Sequence, residues 1–244
     1  MRSTPTPANV RSSRNNILNR DFSLGGVILL KRQNYFELKS QQMKEIILDV
    51  LERLLQMADQ YTAHLEKPSD KKKAYILQVE QFVNQSEERV NDHILELLSL
   101  QPVAKDKVKE LFGISRIAGL LERVGDQLIN LLTISDGENA AELMPMIEQF
   151  FHYEREMMGW LIQGIEKNDR HLLELVISHD QYVNRLNKGT YQSVVHSVQE
   201  QEKITESNLK TIIMSRFLER LGDYLVTIAK IYHDFLDTRQ ASDE

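Results

Sequence analysis

One short segment occurs twice in this chain and decides how the rest of the sequence is interpreted. Residues 120–132 read LLERVGDQLINLL, and residues 217–229 read FLERLGDYLVTIA. Six of the thirteen aligned positions are identical, including a Glu, an Arg, a Gly and an Asp at the same spacing. Self-similarity at a fixed separation is typical of a duplicated structural unit. The sequence therefore predicts two copies of one fold.

A second, weaker echo precedes each of these segments. Residues 80–87 read EQFVNQSE, and residues 180–187 read DQYVNRLN. The echo begins 42 residues before Glu122 in the first copy and 39 residues before Glu219 in the second. The matched order and the nearly matched spacing support an internal duplication rather than a chance similarity.

The pattern of apolar residues between these echoes is helical. Leu, Ile and Val recur every three or four residues from about Asn34 to Leu236, which is the period of an amphipathic helix. Breaks fall at Pro68, Pro102 and Asp136, where proline, Asp and Gly favour helix ends. The pattern predicts six helices of about 30 residues, each roughly 45 Å long. No hairpin signal indicates a strand.

The predicted fold is all-α, with two tandem antiparallel three-helix bundles related by internal duplication. We expect four segments along the chain. They are a flexible basic segment over 1–33, a first three-helix repeat over 34–136, a second repeat over 137–238, and a C-terminal tail over 239–244.

Composition narrows the classes of function. The chain has no cysteine, which excludes disulfides and thiolate metal sites, and its longest apolar runs are too short to span a bilayer. Residues 1–33 hold six bases and one acid, so the remaining 24 bases and 35 acids give a charge of about −11. The part of the chain after residue 33 is therefore strongly acidic and should repel nucleic acid. The basic segment could contact anionic lipid or nucleic acid, although an unstructured tail is the simpler interpretation.

Each copy carries acids that share one helical face. Glu122 and Asp126 are four residues apart, as are Glu219 and Asp223. The preceding helix offers further oxygen ligands at spacings of four and three, namely Glu80, Asn84 and Glu87 in the first copy and Asp180, Asn184 and Asn187 in the second. Carboxylates that approach closely would repel one another, and a bound cation would relieve the repulsion. Oxygen ligands favour Mg, Mn, Fe or Ca.

A second interpretation of these acids remains open. Carboxylates four residues apart are common on solvated helix faces, and Arg123 or Arg220 could form weak surface ion pairs with Asp126 or Asp223. The Gly between each pair favours a special role, because Gly costs a helix about 1 kcal/mol relative to Ala. It indicates either close helix approach or room for a ligand.

Common signatures of catalysis are missing from the sequence. There is no phosphate-binding GxxxxGK loop, no nucleophile elbow and no Gly-rich dinucleotide turn. None of the seven histidines follows a Glu by three residues, so the Glu-x-x-His element of di-iron bundles is absent. We expect the histidines to be ordinary surface or boundary residues, and we expect the protein not to be an enzyme.

The repeated motifs resemble those of the PhoU family of phosphate-uptake regulators. The resemblance covers about residues 36–236 and rests on LERxGD in each third helix and on the stretch QPVAKDKVKELFGISRIAGLLERVGD from Gln101 to Asp126. It implies a non-enzymatic negative regulator of phosphate uptake and phosphate-starvation signalling. The implied partners are a phosphate ABC transporter and a sensor histidine kinase, reached in the cytoplasm at the inner face of the membrane. A homodimer is compatible with such bundles.

The resemblance also implies a metal centre, of iron or zinc in some members, with manganese or magnesium as chemical alternatives. Its ligands would fall on the nine positions Glu80, Asn84, Glu87, Glu122, Asp126, Asp180, Asn184, Glu219 and Asp223. Asn84, Asn184 and Asn187 depart from the acids that the family often has there. We therefore expect the second copy to bind metal more weakly than the first.

Three other functions remain as alternatives. One is an enzyme with a catalytic metal, which would need an open coordination position and a base near the LERxGD faces. PhoU-like domains also form cytoplasmic parts of sodium–phosphate cotransporters, and residues 1–33 could connect such a domain to a membrane region. A purely structural helical scaffold predicts that replacing Glu122 and Asp126 by Asn leaves function intact.

Overall fold

The computed structural model describes the backbone of residues 11–100, 102–135 and 140–243, and the side chains within 34–100, 102–135 and 142–238. These residues form six α-helices and no strand. The helices are α1 (Arg11–Glu66), α2 (Asp70–Leu100), α3 (Lys105–Ser135), α4 (Ala140–Lys167), α5 (Arg170–Gln201) and α6 (Glu206–Asp243). The all-α prediction is confirmed. Within the described residues, no helix is long and apolar enough to cross a bilayer.

From Met43 onward the chain forms one compact unit, in which the remainder of α1, α2 and α3 make up the first half and α4 to α6 the second; the residues of α1 before Met43 belong to a separate unit. Helix α2 packs on α3, while α4, α5 and α6 pack on one another. Helix α1 joins the first bundle through Tyr61, whose hydroxyl donates to Leu131 O at 3.4 Å and lies 3.1 Å from Ser135 Oγ. Contact between α3 and α6 joins the two bundles.

Polar side chains end and begin the helices of the second half. Asn168 takes a left-handed conformation at φ 54°, which stops α4. Asp169 then caps α5, because its Oδ1 accepts from His171 N at 3.0 Å and Leu172 N at 3.4 Å. At the next turn, Thr205 Oγ1 accepts from Asn208 N at 3.1 Å, and Asn208 Oδ1 accepts from Thr205 N at 3.1 Å. This reciprocal pair starts α6 as a capping box does.

The duplication extends to the first helix of each half, where no sequence motif indicates it. Residues 100 positions apart in α1 and α4 are buried in the same register. The matched pairs are Met43 and Leu143, Ile47 and Ile147, Val50 and Phe150, Leu51 and Phe151, Leu54 and Glu154, Met57 and Met157, Ala58 and Met158, Tyr61 and Leu161, and Leu65 and Ile165. Glu154 is the single member of this set that is not apolar.

The repeated glycines lie where the third helix of each half approaches its neighbours. A Cβ on Gly125 would lie 3.7 Å from Leu54 Cδ2 and 3.9 Å from Val83 Cγ1. A Cβ on Gly222 would lie 3.2 Å from Val183 Cγ1. The neighbours are apolar side chains of the bundle core, so these glycines serve close helix packing.

The structure differs from the sequence prediction at both chain ends. Helix α1 already begins at Arg11, where we expected a flexible segment over 1–33, and residues 1–10 lie outside the described part. After Pro7 no proline interrupts this stretch. Gly25 and Gly26 lower the helix propensity, but the free-energy cost of two glycines is small compared with the stability of a long continuous helix. Helix α6 runs to Asp243 in place of the expected tail over 239–244, because no Gly or Pro follows Leu236 to end it. The expected boundary at 136 falls among undescribed residues.

Candidate functional site

In the first half, α2 and α3 bring the predicted acids into one electrostatic cluster. Asn84 Nδ2 donates to Glu80 Oε1 at 2.6 Å, which fixes one carboxylate on α2. Burial, Asp126, Glu87 and Glu80 all raise the pKa of Glu122, and Arg123 opposes them. Burial and Glu80 raise the pKa of Asp126. Glu122 and Asp126 of α3 therefore interact electrostatically with the acids of α2.

The second half repeats this arrangement on α5 and α6. Asn184 Nδ2 donates to Asp180 Oδ2 at 2.6 Å, as Asn84 does to Glu80. Burial and Asp223 raise the pKa of Asp180, while the bond from Asn184 lowers it. Burial and Asp223 also raise the pKa of Glu219. The duplicated motifs thus produce the same contact twice.

The two clusters differ in their bases. Arg216 Nη1 lies 2.8 Å from Glu219 Oε1, and Arg216 and Arg220 both lower the pKa of Glu219. Gly119 occupies the position of Arg216 in the first half, and a Cβ there would lie 3.5 Å from Glu87 Oε1. Asn187 occupies the position of Glu87 in the second half. Compared with the first half, Asn187 in place of Glu87 removes an acid, and Arg216 in place of Gly119 adds a base. The second cluster is therefore less negatively charged.

The donor chemistry of both clusters fits a hard cation. Asp180 Oδ1 and Glu219 Oε2 are shielded from solvent and accept no hydrogen bond, as expected of oxygens that a cation could bind. In the first half, the excess of carboxylates favours a cation. Among the described residues, neither predicted cluster has carboxylate oxygens of three different residues within 4.8 Å of one another. A bound ion would therefore require the carboxylates to turn towards it.

A group towards the end of α6 was not predicted from the sequence. His233, Asp234 and Asp237 offer ligand atoms that all lie within 4.8 Å of one another. His233 Nδ1 lies 3.3 Å from Asp237 Oδ2, and Arg170 Nη2 lies 2.6 Å from Asp237 Oδ1. The spacing His-x-x-x-Asp was the available signal. Since Arg170 already compensates Asp237, the group acts as an ion-pair network between α5 and α6.

Glu154 was also missed, although it is the most unusual acid in the described chain. It is fully buried on α4, and neither carboxylate oxygen accepts a hydrogen bond. Burial raises its pKa well above the usual range, with Arg155 opposing. Arg155 itself binds the first half, through Asp59 Oδ1 at 2.8 Å and Thr62 Oγ1 at 3.0 Å. Glu154 therefore favours its protonated form.

Family comparison agrees with this duplicated architecture. The family model described as the PhoU domain matches the chain twice, over residues 41–134 and 147–232, which together make up more than half of it. The chain belongs to the PhoU family. The two matches coincide with the two halves of the fold, so each half corresponds to one PhoU domain.

Similar proteins of this family share little sequence with the chain. A protein of Borreliella burgdorferi named "Phosphate-specific transport system accessory protein PhoU homolog" is 18% identical over 200 residues, covering 78% of this chain and 90% of that protein. A Pseudomonas putida protein of the same name is 22% identical over 205 residues, covering 79% of each. The similarity therefore extends over most of both chains.

Solved structures support the fold. The crystal structure of PhoU from Pseudomonas aeruginosa matches with a TM-score of 0.75 at 17% identity, covering 83% of this chain and 99% of that one. The phosphate transport system regulatory protein PhoU from Streptococcus pneumoniae matches with a TM-score of 0.68 at 15% identity, covering 84% and 97%. At these identities the comparison concerns the fold alone.

Proposed function

We propose that this PhoU-family chain is a non-enzymatic negative regulator of inorganic phosphate uptake and phosphate-starvation signalling. The observation that carries the proposal is the pair of PhoU domains, which fill both halves of the structure. Relatives that align over most of the chain are named as accessory proteins of a phosphate-specific transport system. A regulator of the same transport process is the function most consistent with these names.

The regulator would act through protein contacts in the cytoplasm, at the inner face of the membrane. A phosphate ABC transporter and its sensor histidine kinase are the partners that the family resemblance implies. Exposed apolar side chains at the α2–α3 end of the first half support a role in binding another protein, since Leu95 is 64% exposed and Phe112 is 68% exposed. Leu209 occupies the position of Phe112 in the second half and is 51% exposed.

A metal-dependent form of this regulation rests on the carboxylate clusters. In the first half, Glu80, Glu87, Glu122 and Asp126 would hold a hard cation such as Mn²⁺ or Mg²⁺, with Asn84 orienting Glu80. The ion would neutralise carboxyl groups that otherwise repel one another across α2 and α3, and so would favour one arrangement of these helices. In the second half, Arg216 already supplies part of that compensation. We therefore propose weaker metal binding there.

A phosphate-starvation reporter in the native host tests the regulatory role. The gene is deleted, and the reporter is measured in phosphate-rich medium, with wild-type complementation as the control. We expect the reporter to turn on in the deletion strain and to turn off again in the complemented strain. In phosphate-poor medium the reporter should be on in both strains.

A silent reporter in the deletion strain would contradict the proposal. If sodium-dependent phosphate uptake changed while the reporter stayed silent, the cotransporter-domain alternative would replace it. Complementation by a Glu122→Gln, Asp126→Asn variant adds a separate result. Full restoration by this variant would show that regulation does not depend on the first carboxylate cluster.

A further inference from the structure

A cavity opens between α5 and α6 in the second half, beside the carboxylate cluster. Its volume is about 370 Å³. The polar residues that line it are Asn184, Asn187, Lys188, Tyr191, Ser215 and Arg216. They include one lysine and one arginine and no carboxylate, in a chain whose formal net charge is −6. Such a cavity favours an anion.

The side chains around the cavity offer the contacts that a phosphoryl group needs. Arg216 uses Nη1 for Glu219, and a guanidinium carries five N–H donors in all. Lys188 adds a second cation from α5. Asn184 also lines the cavity; it donates one amide N–H to Asp180, and its amide oxygen is an acceptor. Cationic donors beside a neutral acceptor suit an anion that still carries a proton.

The first half shows that this cavity is not a general consequence of the fold. The positions of Asn187, Lys188 and Arg216 are occupied there by Glu87, Glu88 and Gly119. Where Tyr191 and Ile212 line the cavity, the first half has Asn91 and Ser115, and Ser115 Oγ donates to Asn91 Oδ1 at 2.7 Å. In this region the first half therefore has two acids, Glu87 and Glu88, and a hydrogen bond between Ser115 and Asn91. The second half has two bases, Lys188 and Arg216, and an open cavity.

We propose that this cavity binds a phosphoryl oxyanion, either inorganic phosphate or a small phosphate monoester, through Lys188 and Arg216. Guanidinium and ammonium groups bind phosphate oxygens through charge-assisted hydrogen bonds, and Asn184 Oδ1 can accept from the P–OH of inorganic phosphate. A monoester is mainly a dianion at neutral pH and would bind through Lys188 and Arg216 alone. The identification of phosphate as the biological ligand rests on the proposed role in phosphate regulation. Binding at the cavity would let this half of the protein respond directly to the anion.

Calorimetric titration of the purified full chain with inorganic phosphate tests the site at fixed ionic strength and neutral pH. Lys188→Glu installs the acid that the first half has at this position, and we expect it to weaken phosphate binding on the order of tenfold or more. Arg216→Gln should weaken binding to a similar extent. The matched controls are Lys203→Glu, an exposed lysine outside the cavity, and Arg116→Gln, an exposed arginine on α3. Both controls should bind phosphate as the wild type does.

Circular dichroism of each variant shows whether the helical fold is kept, and thermal unfolding with and without phosphate gives a second readout. Ligand binding should raise the melting temperature of the wild type and of the controls, and at the same phosphate concentration should raise that of Lys188→Glu by less. The proposal is overturned if phosphate does not bind, or if it binds equally well to the wild type and both cavity variants.

Parallel titrations with sulfate and with glycerol phosphate identify the anion. Sulfate carries no proton at neutral pH and cannot donate to Asn184 Oδ1, so we expect it to bind more weakly; equal affinity would overturn the phosphate assignment. Tighter binding of glycerol phosphate than of free phosphate would identify a monoester as the ligand, and the reverse order would identify inorganic phosphate.

The deletion reporter is independent of these measurements. A responsive reporter with no phosphate binding would refute only the cavity, and binding with a silent reporter would refute only the regulatory role.

Discussion

The two halves of this protein share a fold and a core but differ in the charge that they present between their second and third helices. In the first half, Glu80, Glu87 and Glu122 gather with Asp126. In the second half, Arg216 pairs with Glu219, and Lys188 lines an open cavity nearby. After duplication, the buried apolar positions had to keep their packing, whereas the polar faces between helices could change. This difference in charge is the basis for proposing a cation site in the first half and an anion site in the second.

A second difference lies in the core itself. Leu54 in α1 is fully buried and contacts the third helix at Gly125, as an apolar core residue should. Its counterpart in α4 is Glu154, which is fully buried without a hydrogen bond to either oxygen. Because a buried polar group without a partner costs about 1–3 kcal/mol, Glu154 weakens the second half relative to the first.

Replacing each of these two residues, one at a time, by its counterpart from the other half should produce the largest effects on the free energy of unfolding. Glu154→Leu should raise the free energy of unfolding by about 2 kcal/mol at neutral pH, because it removes an unpartnered acid from the core. Leu54→Glu should lower it by about 4 kcal/mol, because it buries an acid and loses apolar packing. Urea denaturation followed by circular dichroism measures both. A loss of stability in Glu154→Leu would mean that the carboxyl group has a favourable partner.

The pH dependence of stability separates Glu154 from the other acids. Its carboxyl group binds a proton more tightly in the folded state than in the unfolded chain, where the pKa is near 4.5. This contribution to stability is therefore complete below pH 4.5 and is lost as pH rises through the folded-state pKa. Compared with Glu154→Leu, the wild type should lose stability as pH rises above 4.5. Parallel pH profiles for the two proteins would contradict a raised pKa at Glu154.

Smaller effects are expected at the repeated glycines. Gly125→Ala should be neutral or stabilising by up to about 1 kcal/mol, because Ala favours helix and its Cβ would meet Leu54 at an ordinary 3.7 Å. Gly222→Ala should gain less or destabilise, because its Cβ would lie 3.2 Å from Val183 Cγ1. Thermal unfolding of the two variants compares them directly. Equal shifts would show that the second half relaxes around the added methyl group.

Much of the fold could be predicted from sequence, because the motifs at Glu122 and Glu219 lie on the same helix of each half and because proline and Asp mark the helix ends. The match between α1 and α4 escaped detection, since it preserves burial and apolar character with few identical residues, and the pair Leu54 and Glu154 shares no chemistry. The helix from Arg11 was missed because Gly25 and Gly26 suggested a joint, and local propensity did not reveal the continuous helix.

The candidate site could be predicted only in part. Repetition identified the acids, and the structure places them across facing helices as the spacing suggested. No repeated motif identifies Lys188 and Arg216. They are of interest because they differ from Glu88 and Gly119, the residues at the same positions in the first half, whereas a repeat is recognised by identical residues. Glu154 resembled an ordinary polar residue of an amphipathic helix until its burial was known.

The smallest expected effects are on the pKa values of single carboxyl groups, and they test the electrostatic difference between the two halves. Glu87 raises the pKa of Glu122, so Glu87→Gln should lower the Glu122 pKa. Arg216 lowers the pKa of Glu219, so Arg216→Gln should raise the Glu219 pKa. Titration of the side-chain carboxyl carbons by ¹³C NMR measures both. Shifts of the same sign in the two variants would contradict the contrast between acid and base in the two halves.

Metal affinity tests the contrast between the halves most directly. Metal-free full-length protein is titrated with Mn²⁺, and Glu122→Gln with Asp126→Asn is compared with Glu219→Gln with Asp223→Asn. We predict that the first pair weakens the tightest Mn²⁺ site on the order of tenfold or more, while the second pair leaves that site nearly unchanged. Equal loss in the two variants, or a greater loss from the second pair, would contradict the assignment of the cation to the first half.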